Sequence, residues 1–303
     1  MIEVLRAGRC DLVMDLGRPG WGAFGVPAGG AADPSALVAA NRMVGNDDAA
    51  AGLEILLAGP SLRFPLGGVV ALAGARFRAT RSKGKAPAWN ETLLLAAGEI
   101  LNLEQAETGC RCWLAMRGGL AVPRVLGSRS TLLPAGFGGY QGRALRPGDT
   151  LACATPVGEM HLLRAHPPAP PRDAPLRVVA GPQASQFDDV GLTAFFCGRY
   201  RVGAASDRRG LRLTGPAVTH VRAELPSQGV LPGTVQVPPD GQPIILGWDG
   251  PVTGGYPAIA TVIAADWPRL AQLRPGDAVR FATVEVEAAR TWTAAPWVIE
   301  ALA

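Results

Sequence analysis

The chain has 303 residues, of which 48% are hydrophobic and 18% charged, and its formal net charge is +4. The apolar content is sufficient for real cores, and the length predicts two domains of roughly 100–200 residues each. The 39 glycines and 27 prolines indicate many short strands joined by tight turns rather than a disordered chain. The arginines are scattered without a basic and aromatic motif, so nucleic-acid binding is not indicated.

Cysteine usage and hydropathy indicate a cytoplasmic location. The five cysteines are an odd number and form no Cys-x-x-Cys pair, which predicts reduced thiols rather than a disulfide framework or a structural zinc site. The first six residues lack the apolar core of a signal peptide. No apolar run approaches the ~18 residues of a membrane span. We therefore expect a cytoplasmic protein that does not enter a membrane and binds no metal ion.

The first clear element along the chain is a helix over residues 34–44. Asp33 can cap its free amides, Pro34 suits the first helical position, and Gly45 suits a left-handed exit. Two shorter helices are expected at residues 188–196 and from residue 266 onward.

The remaining segments are apolar or alternate in polarity, which predicts β-strands. The predicted strands are Leu53–Ala58, Val69–Ala73, Arg76–Thr80, Arg111–Met116, Leu176–Ala180, Val235–Val237, Ile244–Trp248, Ile259–Ala264 and a final long strand, Ala278–Glu287.

A proline-rich run at residues 166–175 is typical of a linker with polyproline character. It separates a predicted N-terminal domain, residues 1–165, from a C-terminal domain, residues 176–303. The pentapeptide Leu-Arg-Pro-Gly-Asp occurs once in each half. The repeat has two interpretations: an ordinary proline-glycine turn before a closing strand, or two barrels of related fold.

Common catalytic signatures are absent. The sequence has no P-loop and no nucleophile elbow, and its three histidines lie outside every dense motif, which disfavours a Ser-His or Cys-His dyad. Four polar, glycine-rich blocks stand out instead, at residues 15–46, 117–131, 206–213 and 227–257. Each block alone is explained by turn chemistry. Together they place Arg, Gln, Asp, Ser and Thr beside glycines that let a ligand approach the backbone, which suits a small ligand with a carboxylate or amide.

At these blocks the sequence resembles the allophanate hydrolase subunit 2 family, also described as biotin-dependent carboxyltransferase-like. The family includes the C subunit of 5-oxoprolinase, the KipA antagonist protein and part of the urea carboxylase carboxyltransferase domain. The resemblance implies a mainly β chain of two tandem cyclophilin-like β-barrel domains with few short helices. The stretches that carry it are Asp15–Gly20, Gly25–Asn46, Glu54–Pro60, Arg117–Thr131, Gly136–Gly139, Ser206–Leu213, Gly233–Pro257 and Gln272–Phe281.

The resemblance also implies an activity: the ATP-dependent opening of 5-oxoproline to glutamate, a cyclic amide hydrolysis. The chain would act with an allophanate hydrolase subunit 1 or KipI-like partner and with a third component, the A subunit of 5-oxoprolinase. ATP would act through the complex, with no metal or biotin attached to this chain. Two alternatives stay open. One is a KipA-like regulatory module that sequesters a kinase inhibitor, and the other is a carboxyltransferase component acting on urea or a similar amide.

Carried over to this sequence, the resemblance makes Asp15, Asp207 and Asp249 candidate acid-base or orienting groups. The candidate substrate-binding residues are Arg18, Asn41, Arg129, Arg208, Gln228, Gln236, Thr253, Gly254, Gly255 and Tyr256. The chain departs from the family pattern where hydrogen-bonding side chains are usual. These departures are Met14, Pro251 and Val252.

Overall fold

The computed structural model describes residues 1–168, 174–219 and 225–302. This part of the chain is mainly β with a few short helices, which confirms the predicted fold class. It divides into two compact units. The first comprises Met1–Arg18, Gly29–Pro168 and Pro296–Ala303, and the second comprises Pro19–Ala28 and Ala169–Ala295. Within the predicted linker, residues 169–173 lie outside the described residues.

The strands, in chain order, are β1 Ile2–Arg6, β2 Asp11–Met14, β3 Gly52–Leu56, β4 Ser61–Phe64, β5 Gly68–Gly74, β6 Phe77–Arg81, β7 Thr92–Leu95, β8 Glu99–Ala106, β9 Arg111–Met116, β10 Thr150–Leu151, β11 Leu163–His166, β12 Leu176–Ala180, β13 Tyr200–Val202, β14 Gly210–Thr214, β15 Gln228–Gly229, β16 Thr234–Gln236, β17 Ile244–Leu246, β18 Thr253–Gly254, β19 Ala258–Val262, β20 Ala278–Val279, β21 Phe281–Thr283 and β22 Val298–Ala301. The helices are α1 Pro34–Met43, α2 Asp189–Cys197, α3 Trp267–Ala271 and α4 Val286–Thr291.

The first unit is built on two five-stranded sheets, in the orders β10-β1-β4-β8-β6 and β2-β3-β9-β5-β7. Both sheets contribute to one apolar core. Burial of each large apolar side chain contributes ~1.5–3 kcal/mol. Core residues from the two sheets include Ile2, Leu62, Phe64, Leu101, Leu53, Leu72 and Leu114.

Helix α1 forms where the sequence predicted it. The Asp33 carboxylate accepts a hydrogen bond from the Ala36 amide at 3.1 Å, and Gly45 has the left-handed φ of 67° that ends a helix. The helix packs against β5 and β9. At Gly52, an added Cβ would lie 2.8 Å from the Leu114 carbonyl and 3.1 Å from the Leu37 side chain. Glycine there allows the helix to approach the sheet closely.

The second unit contains an eight-stranded sheet in the order β20-β13-β14-β17-β16-β19-β12-β21. Its two outermost strands, β20 and β21, are separated in sequence by Arg280 alone. The sheet therefore curls until its edges nearly meet, as a barrel does. Phe195 of α2 stacks on Phe281 of β21 with ring centroids 4.3 Å apart, so this helix covers the seam between the edges.

The predicted final long strand, Ala278–Glu287, is wrong. The chain breaks at Arg280, and α4 follows after Thr283. One straight strand could not bond to both edges of the sheet, since β20 pairs antiparallel with β13 while β21 pairs parallel with β12. The Arg280 carbonyl accepts a hydrogen bond from the Leu176 amide at 2.7 Å, which fixes the break. The other predicted strands occur within a couple of residues of their expected ends.

The repeated pentapeptide makes the same turn in both units. In the first, the Gly148 amide donates to the Val4 carbonyl at 2.8 Å, and the Val4 amide donates to the Asp149 carbonyl at 2.9 Å. The Asp149 carboxylate also accepts from the Arg146 amide at 2.7 Å.

The second copy repeats these bonds. The Gly276 amide donates to the Val202 carbonyl at 2.7 Å, and the Val202 amide donates to the Asp277 carbonyl at 3.0 Å. The Asp277 carboxylate accepts from the Arg274 amide at 2.8 Å. Each turn leads into a short strand, β10 or β20. Equivalent turns with equivalent partners favour the interpretation of two related folds over unrelated proline-glycine turns.

Asp11 of β2 is a buried carboxyl group of the first unit with 1% exposure. Its Oδ2 accepts from the Gly8 amide at 2.5 Å, whereas Oδ1 has no hydrogen-bond partner among the described residues. Burial raises the pKa of Asp11 to about 7, opposed by the Gly8 amide and the charge of Arg6. Burial, and then the Asp11 charge, raises the pKa of the neighbouring Cys112 thiol.

We predict that Asp11 makes the protein less stable as the pH rises. Between its ordinary pKa of 3.8 and about 7, the native chain retains a proton that the unfolded chain has released, so the free energy of unfolding falls through this window. Asp11→Asn resembles the protonated form and should gain stability relative to wild type between pH 5 and pH 8, by urea unfolding. A difference in unfolding free energy that is constant with pH would contradict this.

Candidate functional site

Asp15 is the centre of a hydrogen-bonded loop in the first unit. Its carboxylate accepts from the Ser128 hydroxyl at 2.5 Å, the Ser130 hydroxyl at 2.6 Å, the Arg129 amide at 2.5 Å and the Gly17 amide at 2.8 Å. Most of its acceptor capacity is therefore used within the chain. This geometry makes Asp15 an anchor that joins the segment after β2 to residues 128–130.

Arg18 braces the same loop from the interior, with 1% exposure. Its guanidinium donates to the Ser130 carbonyl and lies over the Phe137 ring, 5.1 Å from the centroid. A Cβ on Gly138 would come within 2.2 Å of the Ser130 carbonyl and 3.0 Å of the Arg18 guanidinium. The charge of Arg18 is thus directed at backbone within the unit.

Asn41 and Arg129 also bond to backbone. Asn41 is fully buried in α1, and its Nδ2 donates to the Ala50 carbonyl at 2.8 Å while its Oδ1 accepts from Asn46 at 3.1 Å. Arg129 donates from Nε to the Val122 carbonyl at 2.9 Å. Asn41 holds the segment that follows α1, and Arg129 belongs to the loop around Asp15.

In the second unit, Arg208 and Asp249 form a buried, bidentate ion pair. Arg208 Nε lies 2.8 Å from Asp249 Oδ2, and its terminal nitrogen lies 3.0 Å from Oδ1. The side chains are 8% and 0% exposed. The guanidinium of Arg208, a predicted substrate-binding residue, is thus paired with a carboxylate of the chain itself. Asp207, by contrast, is exposed and caps its own turn by accepting from the Arg209 amide at 2.8 Å.

A second group of predicted residues converges at β15, β16 and β18. Gln228 is paired with Gly254 across the β15–β18 ladder. The buried Gln236 donates from Nε2 to the Tyr256 carbonyl at 3.2 Å. A Cβ on Gly254 would lie 2.6 Å from that Nε2. The sequence block at residues 227–257 therefore places two carboxamide side chains against one glycine-rich loop.

Gln183 completes this group and was not predicted from the sequence. Its Nε2 donates to Gln228 Oε1 at 2.9 Å, and its Oε1 accepts from the Ala258 amide at 3.1 Å. We call Gln183, Gln228 and Gln236, with the backbone of Gly254, Tyr256 and Ala258, the amide cluster. The Gly181-Pro182 pair before Gln183 could have marked this position as the end of a strand. The pairs Gly59-Pro60 and Gly215-Pro216 also follow strands.

The loop above the amide cluster is partly open to solvent. Thr253 is exposed, Gly254 and Gly255 are half-buried, and Tyr256 is 39% exposed. The Gly255 carbonyl is engaged by the Leu225 amide at 2.8 Å. Carboxamides offer both donors and acceptors without charge. The arrangement therefore suits the amide group of a ligand, which has one donor and one acceptor.

Over residues 1–168, 174–219 and 225–302, no group of three or more His, Cys, Asp or Glu side chains is placed to hold a metal ion. In the same ranges, no helix has both the length and the hydropathy that crossing a bilayer requires.

Replacing Asp15 with Asn should destabilise the first unit. The Asn side chain would present an NH2 group to a set of donors, leaving at least one buried donor unpaired at a cost of ~1–3 kcal/mol. Asp207→Asn is the matched control, because an exposed Asn can cap the same turn, and we expect a change within ~0.5 kcal/mol. Equal losses in urea unfolding of the two variants would refute the anchoring role of Asp15.

Gly254→Ala should displace the Gln236 carboxamide and break its bond to Tyr256, costing ~0.5–1.5 kcal/mol. Gly229→Ala, in the paired strand β15, is the control, since nothing lies within 4 Å of its added Cβ. Chemical denaturation of both variants is the measurement. If the two substitutions had the same effect, the close approach at Gly254 would not matter.

Residues 24–283 match the family described as carboxyltransferase domain, subdomain A and B. The C subunit of 5-oxoprolinase from Escherichia coli (strain K12) is 38% identical over 303 residues, covering 95% of this chain and 93% of that protein. The urea amidolyase of Lachancea kluyveri is 32% identical, covering 95% of this chain and 17% of that protein. The crystal structure of the K. lactis urea amidolyase matches with a TM-score of 0.88 and 32% identity, covering 95% of this chain and 19% of that one. The resemblance found in the sequence is confirmed, and the chain belongs to the carboxyltransferase domain family with subdomains A and B.

Proposed function

We propose that this chain is the C subunit of an ATP-dependent 5-oxoprolinase and opens the cyclic amide of 5-oxoproline together with partner subunits. The observation that carries the proposal is that this chain and a relative of that name match over nearly the whole length of each. The chain and the C subunit from Escherichia coli cover 95% and 93% of one another at 38% identity. The match to the Lachancea kluyveri urea amidolyase, by contrast, spans 17% of that protein.

The amide cluster supports the same substrate class. The cyclic amide of 5-oxoproline has one carbonyl acceptor and one N–H donor, and carboxamides can match both. The Gln236 and Gln183 side chains are each fixed by a backbone bond, at 3.2 Å and 3.1 Å. Fixed donors lose little conformational entropy when a ligand binds.

The proposal assigns part of the chemistry to partners. The Asp15 carboxylate and the Arg208–Asp249 pair are engaged within the chain, and the described residues hold no cluster of the metal-binding type. We therefore propose a partner of the allophanate hydrolase subunit 1 type and a third component, with ATP handled by the complex. The five free cysteines support a cytoplasmic location, where thiols stay reduced.

A second candidate is a carboxyltransferase component that acts on urea or a related amide. The TM-score of 0.88 with the K. lactis urea amidolyase favours it. This chain covers 19% of that one, so the other steps of such an enzyme would have to come from partner domains or subunits. For this candidate, a separate biotin carrier would have to be supplied.

Reconstitution decides between these functions. The chain, its partner subunits, ATP and 5-oxoproline are combined, and glutamate is measured. We expect ATP-dependent glutamate formation that is lost when this chain is omitted or heat-denatured. A full set that forms a complex but no glutamate would reject the proposal. In that case, consumption of urea with a carboxylated biotin carrier would favour the second candidate. Tight partner binding without any ligand effect would favour a regulatory module.

A further inference from the structure

We propose that Gln183 is a positioning residue that sets the carboxamide of Gln228 so that Nε2 is presented as a hydrogen-bond donor to the carbonyl oxygen of an amide ligand. The inference rests on the proposed function for the identity of the ligand. The orientation itself follows from hydrogen bonds in the second unit alone.

A chain of donors and acceptors fixes both carboxamides. The Ala258 amide can only donate, so the atom of Gln183 that lies 3.1 Å from it is the acceptor Oε1. The other end of this carboxamide, Nε2, then faces Gln228 at 2.9 Å. Nε2 can only donate, so Gln228 must turn its Oε1 toward it. The Nε2 group of Gln228 is consequently directed away from Gln183.

Gln183 is itself held rigidly. Its own amide donates to the Ala258 carbonyl at 3.3 Å, and the Gly181 amide donates to Ile259 at 2.9 Å. A Cβ on Gly181 would lie 2.2 Å from the Ala258 carbonyl, so glycine is required for the chain to run this close to β19. Ala258 thus bonds to Gln183 twice: its N–H donates to the Gln183 side chain, and its carbonyl accepts from the Gln183 backbone amide.

This orientation leaves a buried hydrogen-bond donor, Gln228 Nε2, unsatisfied. Gln228 Nε2 is buried and has no hydrogen-bond partner among the described residues. Leaving a buried donor unpaired costs ~1–3 kcal/mol, and folded proteins rarely keep such a group without a use for it. Gln228 faces Gly254 across the ladder, beside the partly exposed Tyr256. A carbonyl oxygen entering from that loop would satisfy the donor.

Two isosteric substitutions test the positioning. In Gln183→Glu, the carboxylate still accepts from Ala258 but now also accepts from Gln228, which turns Nε2 inward. In Gln228→Glu, the bond from Gln183 is kept and the donor is lost. Each variant should raise the KM for 5-oxoproline about tenfold or more in the reconstituted complex, with a smaller change in kcat, since ~1.4 kcal/mol corresponds to tenfold.

Gln242→Glu is the matched control. Gln242 is half-buried in the same unit, and among the described residues its side chain bonds only to the Gly215 backbone, at 2.9 Å and 3.3 Å. The KM of this variant should therefore stay within twofold of wild type. If Gln183→Glu leaves KM unchanged while Gln228→Glu raises it, Gln183 has no positioning role. If neither variant changes KM, the donor does not contact the substrate.

A readout independent of turnover separates this inference from the proposed function. The full chain is labelled with ¹⁵N-glutamine, and the side-chain amide signals of Gln228 are assigned by their loss in Gln228→Glu. We expect these signals to move in Gln183→Glu but not in Gln242→Glu. Unmoved signals would overturn the positioning. If the wild-type complex forms no glutamate but the signals move, the substrate assignment fails while the orientation by Gln183 stands.

Discussion

The double hydrogen bond between Gln183 and Ala258 is the constraint on which the candidate site depends. It ties the segment after β12 to the first residue of β19, at 3.3 Å through the backbone and 3.1 Å through the side chain. Because Gln236 lies opposite Ala258 in the neighbouring strand, the same residue locates both sides of the amide cluster. Rigid strands therefore hold the carboxamides, and the exposed loop only covers them.

Much of the fold could be predicted from local sequence. Helix α1 was predictable because its cap, its first-turn proline and its terminal glycine act within a few residues of one another. The central strands were predictable because their residues are either continuously apolar or alternate between apolar and polar along the chain. The break at Arg280 was not predictable, because it depends on where the two edges of the sheet lie in space. Local sequence carries no information on that position. A continuous polar and apolar alternation is compatible with one strand or with two that part at a single residue.

The candidate site was predictable only as a set of residue types. Glycine beside Asp, Arg and Gln correctly marked the loops with dense polar contacts, but not which contacts are internal. Arg208 is the clearest case, because its fork matches any carboxylate and the structure provides Asp249 at 2.8 Å and 3.0 Å. Gln183 was missed for the opposite reason. It stands outside the glycine-rich blocks, and only the pairing of β12 with β19 brings it to Gln228.

The internal pairing of the charged residues bears on how the proposed function would be divided. A buried ion pair such as Arg208–Asp249 is costly to open, since removing one partner leaves an uncompensated charge worth ~3–5 kcal/mol. Such a pair is better suited to holding loops 208–210 and 247–250 in place than to exchanging protons during turnover. The neutral amide cluster can orient a cyclic amide without transferring a proton. On the proposed function, this chain would therefore supply recognition and orientation, and the groups that activate ATP and attack the ring would belong to its partners.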